Sequence, residues 1–368
     1  MNLNFYIPTR MITGKGCVRA EYARLAKLGD ACLVVTGRAS AQKCGALADA
    51  IAALEQGNVR YEIYSGIQPN PTLASCMEAA AQARAMNASF ILGIGGGSPL
   101  DAAKAIAVLA ANPMDQEALY GLKWPNAPLP VAAIGTTAGT GSEVTPVSVL
   151  TTPDGRKRSF RTDSMYPAVS FGDPTYTAAL PDAFTRSTAV DAVAHAMESY
   201  FNRTANAASR AFAAQALRLL APALRKIAAT GTESLTFDDR EALYNGSIFA
   251  GMAISITGTA FPHAMGYFLS EQYGIPHGTA CAVYLPAFLR HNRACADCMD
   301  AFCAETGLTD AEWIDLLEAV TPPCTVTVSP EARQALASRW VNNRSINKSL
   351  GTVTPEYADA LIAKLFSR

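Results

Sequence analysis

Hydrophobic and polar positions along residues 1–178 follow a repeating order. Short apolar runs that end in Gly or Pro turns alternate with longer segments rich in Ala and Leu. Such runs predict buried strands and helices, respectively. Because strands and helices alternate, we expect a parallel sheet with helices on both faces. The predicted strands are NFYI, ACLVVTG, VRYEIYSG, SFILGIG and VAAIGTT, and VSVLTT with RKRSFRT predicts a hairpin.

The pattern changes to a helical one from about Pro181 onward. Long Ala- and Leu-rich stretches are separated there by Gly and Pro breaks, and strand-like runs nearly disappear. A chain of 368 residues is long enough for two cores. We therefore predict an α/β domain at residues 1–178 and an all-α domain at 179–368. The apolar stretch YNGSIFAGMAISITGTAF is broken by Asn, Ser, Thr and Gly, which predicts a buried helix and not a membrane span.

Composition and charge narrow the classes of partner. The net charge of −1 gives no overall field for nucleic acid or an anionic membrane, so we expect neither as a partner. The N-terminus lacks the basic start and long apolar run of a signal peptide. Nine scattered cysteines, an odd number, are typical of reduced thiols, and we expect a cytoplasmic protein. Cys295, Cys298 and Cys303 form one CxxC motif plus a third cysteine; without a second CxxC, packing is the favoured role over a structural zinc site.

Three of the four histidines fall in one stretch together with a well-spaced aspartate. Asp191 and His195 lie four residues apart in an Ala-rich helical pattern, so their side chains project from one helix face. His263 and His277 follow in the segments PHAMGYF and GIPHG. One carboxylate with three imidazoles is a ligand set for a divalent metal, and imidazole suits iron or zinc. The alternative is a helix salt bridge plus two surface histidines. His291 is predicted to be an ordinary polar residue near a helix end.

A glycine-rich loop follows the strand SFILGIG and opens the next helix. Gly95, Gly96 and Gly97 allow backbone amides to approach a ligand, and a helix N-terminus favours phosphate. Ser98 is predicted to be the N-cap, with Asp101 three residues later as in a capping box. The motif matches neither G-x-G-x-x-G nor a P-loop.

A second loop of the same kind, Thr136–Glu143, follows the next predicted strand. Either loop alone can be a tight strand-to-helix turn. Two such loops at the carboxyl ends of neighbouring parallel strands favour a pyrophosphate held between them, and hence a dinucleotide.

Four segments spread over most of the chain together resemble the signature segments of the iron-containing (group III) alcohol dehydrogenases. The resemblance implies a dehydroquinate synthase-like fold with an N-terminal dinucleotide domain and a helical metal-binding domain. It also implies reversible hydride transfer between NAD(P)(H) and a small aldehyde or primary alcohol, with the chain acting as an aldehyde reductase. Iron(II) is the implied metal, and zinc or manganese can substitute. The four segments are GGGSPLDAAKAIA, TTAGTGSEVTP, DAVAHAMESY and PHAMGYFLSEQYGIPHG.

The resemblance also assigns roles to individual positions. The implied metal ligands are Asp191, His195, His263 and His277. The implied cofactor-binding residues are Gly37, Arg38, Ser40, Asn70, Gly95, Gly96, Gly97, Ser98, Asp101, Thr136, Thr137, Thr140, Ser142 and Val149.

Tyr267 marks a departure from the family. Many members carry a further histidine at this position, near the substrate and the nicotinamide, whereas this chain has tyrosine. Tyrosine can relay a proton, but a pKa of about 10 makes it a poor general base at neutral pH. We expect Tyr267 to be the catalytic side chain that assists proton transfer.

The turn after the strand ACLVV decides the expected cofactor. Its sequence, Thr36-Gly37-Arg38-Ala39-Ser40, has no carboxylate to repel a ribose 2′-phosphate, and its Arg and Ser can bind one. NADP(H) is therefore favoured, and NAD(H) remains possible.

Substrate identity is left open between several classes. Val147 and Val149 are small and would suit a short neutral aldehyde. The cluster Arg156–Arg158 with Arg161 would instead suit an anionic aldehyde of the phosphonoacetaldehyde or sulfoacetaldehyde type. A zinc polyol (glycerol-type) dehydrogenase and a non-catalytic nucleotide-binding regulator are further alternatives. We expect a homodimer or a larger homo-oligomer.

Overall fold

The computed structural model describes residues 3–366, and they pack as two compact units. One unit spans Tyr6–Leu180. The other contains the described residues up to Phe5 and those from Pro181 onward. Phe5 belongs there because its ring meets the ring of Phe212 edge-on, with centroids 6.0 Å apart.

The first unit is built on a six-stranded sheet in which all paired strands are parallel, as the alternating pattern predicts. Its central strands are buried on both faces and read as continuous Val, Ile, Leu and Ala runs. A separate antiparallel hairpin follows the fifth strand, in agreement with the prediction. The strands are β1 Arg10–Thr13, β2 Ala31–Gly37, β3 Arg60–Ile67, β4 Phe90–Gly95, β5 Val131–Gly135, β6 Val147–Thr151, β7 Lys157–Arg161 and β8 Val169–Gly172.

Helices connect the parallel strands and cover the sheet. The Ala-rich helix after β4 is almost entirely buried, since it packs against the sheet, the following hairpin and the neighbouring helix. The helices of this unit are α1 Cys17–Ala20, α2 Ala23–Ala26, α3 Ser40–Lys43, α4 Ala46–Gln56, α5 Leu73–Ala85, α6 Gly97–Ala111 and α7 Gln116–Tyr120.

The order of strands in the sheet, β1-β8-β5-β4-β2-β3, determines where a ligand can bind. The chain runs from β2 outward to β3 and then returns to the other side of β2 to form β4. This reversal is a topological switch point, and ligands of open parallel sheets bind at the carboxyl ends of the strands that flank it. The turn that begins at Gly37 and the loop that begins at Gly95 both lie at this position.

Two strand assignments differ from the sequence pattern. The segment NFYI at residues 4–7 is not a strand, because its residues are mostly exposed and pair with no sheet neighbour among the described residues. The first strand begins instead at Arg10, where it pairs with β8. β8 itself has only four residues. It lies between β1 and β5 through tertiary pairing, which a short apolar run in the sequence does not predict.

The second unit is helical throughout its described regular structure, as predicted. Side-chain caps begin several of its helices, including capping boxes at Asn206, Thr236 and Thr309. Its helices are α8 Asp182–Tyr200, α9 Ala207–Thr230, α10 Phe237–Thr257, α11 Phe261–Tyr273, α12 His277–Ala282, α13 Leu285–Cys295, α14 Met299–Thr306, α15 Asp310–Val320, α16 Pro330–Trp340 and α17 Pro355–Phe366.

Helix α8 is the centre of this unit. Every residue from Ala189 to Tyr200 is buried, because α9, α10 and α12 all pack against it. Polar side chains on this helix are therefore enclosed by protein and need partners. Within residues 3–366, no single helix is both long and apolar enough to cross a membrane. Helices α10 and α11 meet those criteria only as a pair, and a bend of 107° separates them.

Candidate functional site

Two carboxylates and one imidazole lie on the buried part of α8. Asp191 and His195 are four residues apart, and Glu198 follows three residues later, so all three share one face of the helix. Their exposed fractions are 2%, 7% and 0%. Two carboxylates and an imidazole in an apolar core are unfavourable unless hydrogen bonds or a cation compensate for the lost water.

Glu198 provides part of that compensation by binding the start of α11. One carboxylate oxygen, Oε2, accepts a hydrogen bond from the backbone N–H of Ala260 at 2.6 Å, and Oε1 lies 2.5 Å from Nδ1 of His263. A carboxylate at a helix N-terminus also interacts favourably with the helix dipole. Since Nδ1 is held in this way, Nε2 of His263 is the nitrogen left to act as a ligand. The sequence analysis did not identify Glu198, although a glutamate seven residues after Asp191 on an apolar helix is a usable signal.

His277 approaches Asp191 because α12 packs unusually close to α8. A Cβ atom at Gly278 would lie 1.9 Å from the carbonyl oxygen of Ser187 and 2.8 Å from Cβ of Asp191, so only glycine fits. The backbone N–H of Thr279 donates a hydrogen bond to Oγ of Ser187 at 3.1 Å. The fixed contact places the start of α12, and therefore His277, against the polar face of α8.

The side chains of Asp191, His263 and His277 converge, together with that of Cys281. One potential ligand atom from each lies within 4.8 Å of the others. Oδ1 of Asp191 and Nε2 of His263 are 3.6 Å apart. Both atoms are buried and have no hydrogen-bond partner in the described part of the chain. Buried polar atoms are almost always satisfied, so this pair fits a bound cation, and the donor set suits a divalent transition metal.

His195 lies beside this group, but it is not among the side chains whose ligand atoms converge. Its ring stacks on the ring of His263, with centroids 4.7 Å apart and an interplanar angle of 21°. The converging group contains Cys281 where the sequence analysis names His195. The role of His195 as a ligand stays a prediction.

Tyr267 borders the converging group on α11. Its ring is half-buried and stacks on the ring of His277, with centroids 5.6 Å apart and an interplanar angle of 14°. A tyrosine in contact with a candidate ligand is close enough to the group to influence proton transfer there.

In the α/β unit, the two predicted cofactor loops pack directly against each other. A Cβ atom at Gly97 would lie 2.9 Å from Cγ2 of Thr140, and one at Gly96 would lie 3.0 Å from Cγ2 of Thr137. The backbone N–H of Thr136 donates to the carbonyl oxygen of Gly95 at 2.9 Å. Small residues are therefore required for the close approach of the loops, in addition to any approach of a ligand.

The local role predicted for Ser98 is wrong. The N-cap of α6 is Gly96, two residues earlier, and Ser98 lies inside the first turn. Its hydroxyl oxygen accepts a hydrogen bond from the backbone N–H of Asn70 at 3.2 Å, which joins the turn after β3 to the glycine loop. Asn70 takes a left-handed backbone conformation, which asparagine tolerates better than most residues.

Asp101 is also not part of a capping box. Its carboxylate accepts hydrogen bonds from Oγ of Ser142 at 2.6 Å and from the backbone N–H of Val149 at 2.9 Å. The predicted cofactor residues Asp101, Ser142 and Val149 are thus brought together, and they connect the start of α6 to the second loop and to β6. Long-range partners of this kind cannot be read from the spacing of a capping box.

Lys104, one turn further along α6, completes this network and was not identified from sequence. Its side chain is fully buried, and Nζ donates to Oγ of Ser142 at 2.7 Å and to the carbonyl oxygen of Val147 at 3.0 Å. Burial lowers the pKa of Lys104 to about 8, against the attraction of Asp101 at 3.8 Å. Burial likewise raises the pKa of Asp101, and Lys104 opposes that rise. We assign this network to the support of the loops.

The turn after β2 leaves its predicted cofactor residues accessible. Arg38 and Ser40 are exposed, and Gly37 is half-buried at the end of the strand. They lie at the switch point with the glycine loop, since β2 and β4 are paired neighbours.

Two other predictions concern residues outside these sites. The cysteines at positions 295, 298 and 303 form no metal-capable group within residues 3–366. Nε2 of His291 lies 2.8 Å from the carbonyl oxygen of Leu350.

Comparison with known families matches both parts of the chain. Residues 8–174 match the model for iron-containing alcohol dehydrogenase, and residues 185–321 match the C-terminal model of the Fe-containing alcohol dehydrogenase family. The chain belongs to the iron-containing alcohol dehydrogenase family. Its membership makes it an oxidoreductase of the alcohol dehydrogenase and aldehyde reductase class, acting on CH–OH groups.

Individual relatives and solved structures agree with this membership. The chain is 34% identical to 1,3-propanediol dehydrogenase from Klebsiella pneumoniae, over 79% of this chain and 74% of the relative. It is 35% identical to lactaldehyde reductase from Escherichia coli, over 76% of this chain and 73% of the relative. The crystal structure of an iron-containing alcohol dehydrogenase matches with a TM-score of 0.91 at 34% identity, covering 99% of both chains. Sulfoacetaldehyde reductase from Bifidobacterium kashiwanohense, in complex with NAD+, matches with a TM-score of 0.89 at 26% identity, also covering 99% of both chains.

Proposed function

We propose that this chain is a metal-dependent reductase that interconverts a small aldehyde and its primary alcohol, with NAD(P)(H) as the redox cofactor. The observation that carries the proposal is the buried group of Asp191, His263 and His277. Two of its polar atoms, Oδ1 of Asp191 and Nε2 of His263, have no other hydrogen-bond partner among the described residues. A divalent cation between them is the simplest way to stabilise such a group inside the protein.

Asp191, His195, His263 and His277 are the proposed metal ligands, with iron(II) as the family expectation. Three of them already converge, and the fourth stacks on His263. When bound, the metal supplies a Lewis acid for the carbonyl oxygen, and the nicotinamide supplies or accepts the hydride. The protein contributes the orientation of its ligands, since Glu198 fixes the His263 ring and Gly278 fixes the approach of His277.

Tyr267 is the proposed catalytic side chain for proton transfer. Its half-buried ring stacks on His277, a proposed metal ligand, and this contact places the tyrosine beside the proposed site of reaction. Because water or the cofactor ribose can also carry the proton, we expect Tyr267 to assist the reaction without being essential.

The cofactor is proposed to bind at the switch point of the sheet. The turn at Gly37, the turn at Asn70 and the loop from Gly95 to Ser98 meet there, and the second loop packs against the first. We propose NADP(H), because exposed Arg38 and Ser40 can hydrogen-bond a 2′-phosphate and no carboxylate in this turn repels it. NAD(H) is the alternative, because the structurally similar sulfoacetaldehyde reductase is seen in complex with NAD+.

For the substrate, we propose a short neutral aldehyde, in keeping with the small side chains of Val147 and Val149. One observation favours an anionic aldehyde as a second candidate. Arg161 pairs directly opposite Val147 in the hairpin, and Lys157 pairs opposite Thr151, so two cations lie on the hairpin face that carries Val149. The relative that is a sulfoacetaldehyde reductase is consistent with that candidate.

A substrate panel distinguishes these candidates. Purified enzyme would be assayed with propanal, lactaldehyde, sulfoacetaldehyde, phosphonoacetaldehyde and the oxidation of glycerol, each with NADH and with NADPH. We expect the highest kcat/KM with a neutral short aldehyde. A value for an anionic aldehyde at least about tenfold higher, reduced selectively by Arg161→Met, would support the second candidate instead. Preferred turnover of glycerol with zinc would support a polyol dehydrogenase.

We further propose that the protein is cytoplasmic and forms a homodimer or a larger homo-oligomer. The scattered, odd-numbered cysteines support the first proposal. Sedimentation of the purified protein tests the second.

A further inference from the structure

We propose that Ser349, in the segment between α16 and α17, is a positioning residue for the metal site, because it holds the first turn of α11, which carries His263. The inference rests on the proposed metal-dependent function and adds a residue to the support of the same site. Ser349 lies beyond residue 321, where the C-terminal family match ends. None of the roles assigned from the sequence includes Ser349.

The start of α11 has no cap of its own. Its N-cap residue, Ala260, has no side chain that can accept a hydrogen bond, and Pro262 has no backbone N–H to donate. The first backbone N–H groups of a helix have no partner within the helix, and a buried one must find a partner elsewhere. Residues 260–265 are all buried. The turn that carries His263 therefore depends on partners from other segments.

Two side chains from distant parts of the chain supply these partners. The backbone N–H of Phe261 donates to Oγ of Ser349 at 3.1 Å, and the backbone N–H of Ala260 donates to Oε2 of Glu198 at 2.6 Å. The side chains of Ser349 and Glu198 thus bind consecutive backbone groups just ahead of His263. Ser349 is 1% exposed. Loss of its hydroxyl would leave the N–H of Phe261 buried without this acceptor.

The residue before Ser349 binds the end of the preceding helix. Nζ of Lys348 donates a hydrogen bond to the carbonyl oxygen of Thr257, the last residue of α10. A cation at the C-terminal end of a helix interacts favourably with the helix dipole. At Gly258, where φ is 73°, a Cβ atom would lie 2.5 Å from Nζ of Lys348. Adjacent residues therefore hold both sides of the bend of 107° between α10 and α11.

The segment that carries Ser349 is itself fixed to the end of α8. Nε of Arg203 donates to the carbonyl oxygen of Ser349 at 2.7 Å, and the backbone N–H of Arg203 donates to that of Lys348 at 2.8 Å. Asn202 and Ser349 also form an antiparallel bridge. Helix α8 therefore anchors both capping side chains, because Glu198 belongs to it and Ser349 is held by residues just after its end.

The position of this turn matters for the proposed metal ligands. His263 lies two residues after Phe261, and its Nε2 is 3.6 Å from Oδ1 of Asp191 on α8. Side chains of a binding site must be held to within about 0.5 Å of the required geometry, so a small shift of the first turn of α11 is enough to weaken metal binding. Glu198 fixes the ring of His263, whereas Ser349 fixes the backbone that carries it.

Metal binding by full-length Ser349→Ala tests the proposal. The substitution removes one oxygen atom. We expect the Kd for zinc, measured against a competing chelator, to rise about three- to tenfold, which is less than for a residue that touches a ligand directly. The visible ligand-field bands of bound cobalt(II) should also shift, because they depend on the arrangement of the ligands. A role in stability alone would change neither quantity in the folded protein.

Ser247→Ala is a matched control. Ser247 is a fully buried serine on α10, and its Oγ donates one hydrogen bond to the backbone carbonyl oxygen of Tyr244. This variant should keep the zinc Kd and the cobalt bands of the unmodified protein. If Ser349→Ala does not fold, Lys348→Met removes the ammonium group at the end of α10 and keeps the aliphatic stem. It should then raise the zinc Kd in the same way.

The outcomes separate this inference from the function on which it rests. If Ser349→Ala binds zinc with an unchanged Kd and gives the cobalt spectrum of the unmodified protein, the positioning role is wrong and the proposed metal site remains. An equal loss of zinc affinity in Ser247→Ala, or an unchanged affinity in Lys348→Met where that variant is needed, would also overturn the role. Failure of the unmodified protein to bind zinc or cobalt would overturn the metal site itself.

Discussion

Oε1 of Glu198 lies 2.5 Å from Nδ1 of His263, inside a helical core where neither side chain is more than 2% exposed. The contact joins α8 to the first turn of α11 and turns Nε2 of His263 toward Asp191. Glu198 therefore determines the orientation of a proposed metal ligand without contacting the metal itself, and we class it as a positioning residue.

Replacement of Glu198 by Gln tests that assignment. The amide keeps the size of the side chain but removes the charge that holds His263. We expect metal affinity to fall by about 10- to 100-fold, with the helical content unchanged. Titration with zinc, using a competing chelator, measures the change. Glu271→Gln is a matched control, because Glu271 lies on α11 and pairs with Arg339. Unchanged zinc affinity in Glu198→Gln would show that the contact is only structural.

The buried Lys104 makes a prediction about stability and pH. Its pKa is about 8 in the folded protein and close to 10.5 when unfolded, so between these values the unfolded chain binds more protons. The free energy of unfolding should therefore rise with pH across that window, because the penalty for burying the charge is progressively removed. Relative to Lys104→Met, the unmodified protein should gain stability between pH 7.5 and 10.

Urea unfolding of both proteins at several pH values measures this difference. Groups that titrate identically in the two proteins cancel in the comparison. Lys43→Met, at an exposed position on α3, serves as the control and should follow the unmodified protein. A difference between the unmodified protein and Lys104→Met that stays constant with pH would contradict the account of the buried network.

Much of the fold could be predicted because it follows from the periodicity of apolar residues within short segments. The apolar runs of β2, β4 and β5 and the spacing of Asp191 and His195 on α8 are properties of short segments. Strand β8 could not be predicted in the same way, because its four residues form a strand by pairing with β1 and β5, which are distant in the sequence.

The candidate sites also contain both features that local spacing predicts and features that depend on tertiary contacts. Ser98 has the local features of an N-cap, yet Gly96 is the N-cap and the Ser98 hydroxyl accepts a hydrogen bond from the backbone N–H of Asn70. Glu198 contacts His263, and Cys281 joins the metal-capable group, only because α11 and α12 pack closely on their neighbours. Lys104 sits in the apolar run AKAIA, where its buried partners come from the second loop and strand β6. Apart from the seven-residue spacing between Asp191 and Glu198, these tertiary contacts have no signature in residue spacing.

Tyr267→Phe removes the hydroxyl and keeps the ring that stacks on His277. We expect kcat to fall several-fold, because water or the cofactor ribose still delivers the proton, while metal content stays at the level of the unmodified enzyme. Steady-state kinetics and metal analysis on the same preparation test both parts. Loss of the metal in this variant would mean that Tyr267 belongs to the ligand set and that the assignment of its neighbours needs revision.

Gly37→Asp tests the proposed preference for NADP(H). The nearest atoms to an added Cβ are the carbonyl oxygen of Ile67 at 3.5 Å and Oγ of Ser40 at 3.7 Å, so a Cβ atom is tolerated at this position. A carboxylate there repels a 2′-phosphate, and we expect kcat/KM for NADPH to fall at least about tenfold more than that for NADH. Gly37→Asn is the uncharged control. A kcat/KM for NADH that clearly exceeds that for NADPH in the unmodified enzyme would contradict the cofactor assignment.

The central claim is that the group at Asp191, His263 and His277 holds a catalytic metal. The most direct measurement is turnover of a short aldehyde by protein stripped of metal with a chelator, before and after one equivalent of iron(II) or zinc is restored. We predict no turnover in the stripped protein, an unchanged circular dichroism spectrum, and recovery of activity on addition of metal. Turnover at the full rate in protein that elemental analysis shows to be free of metal would contradict the account.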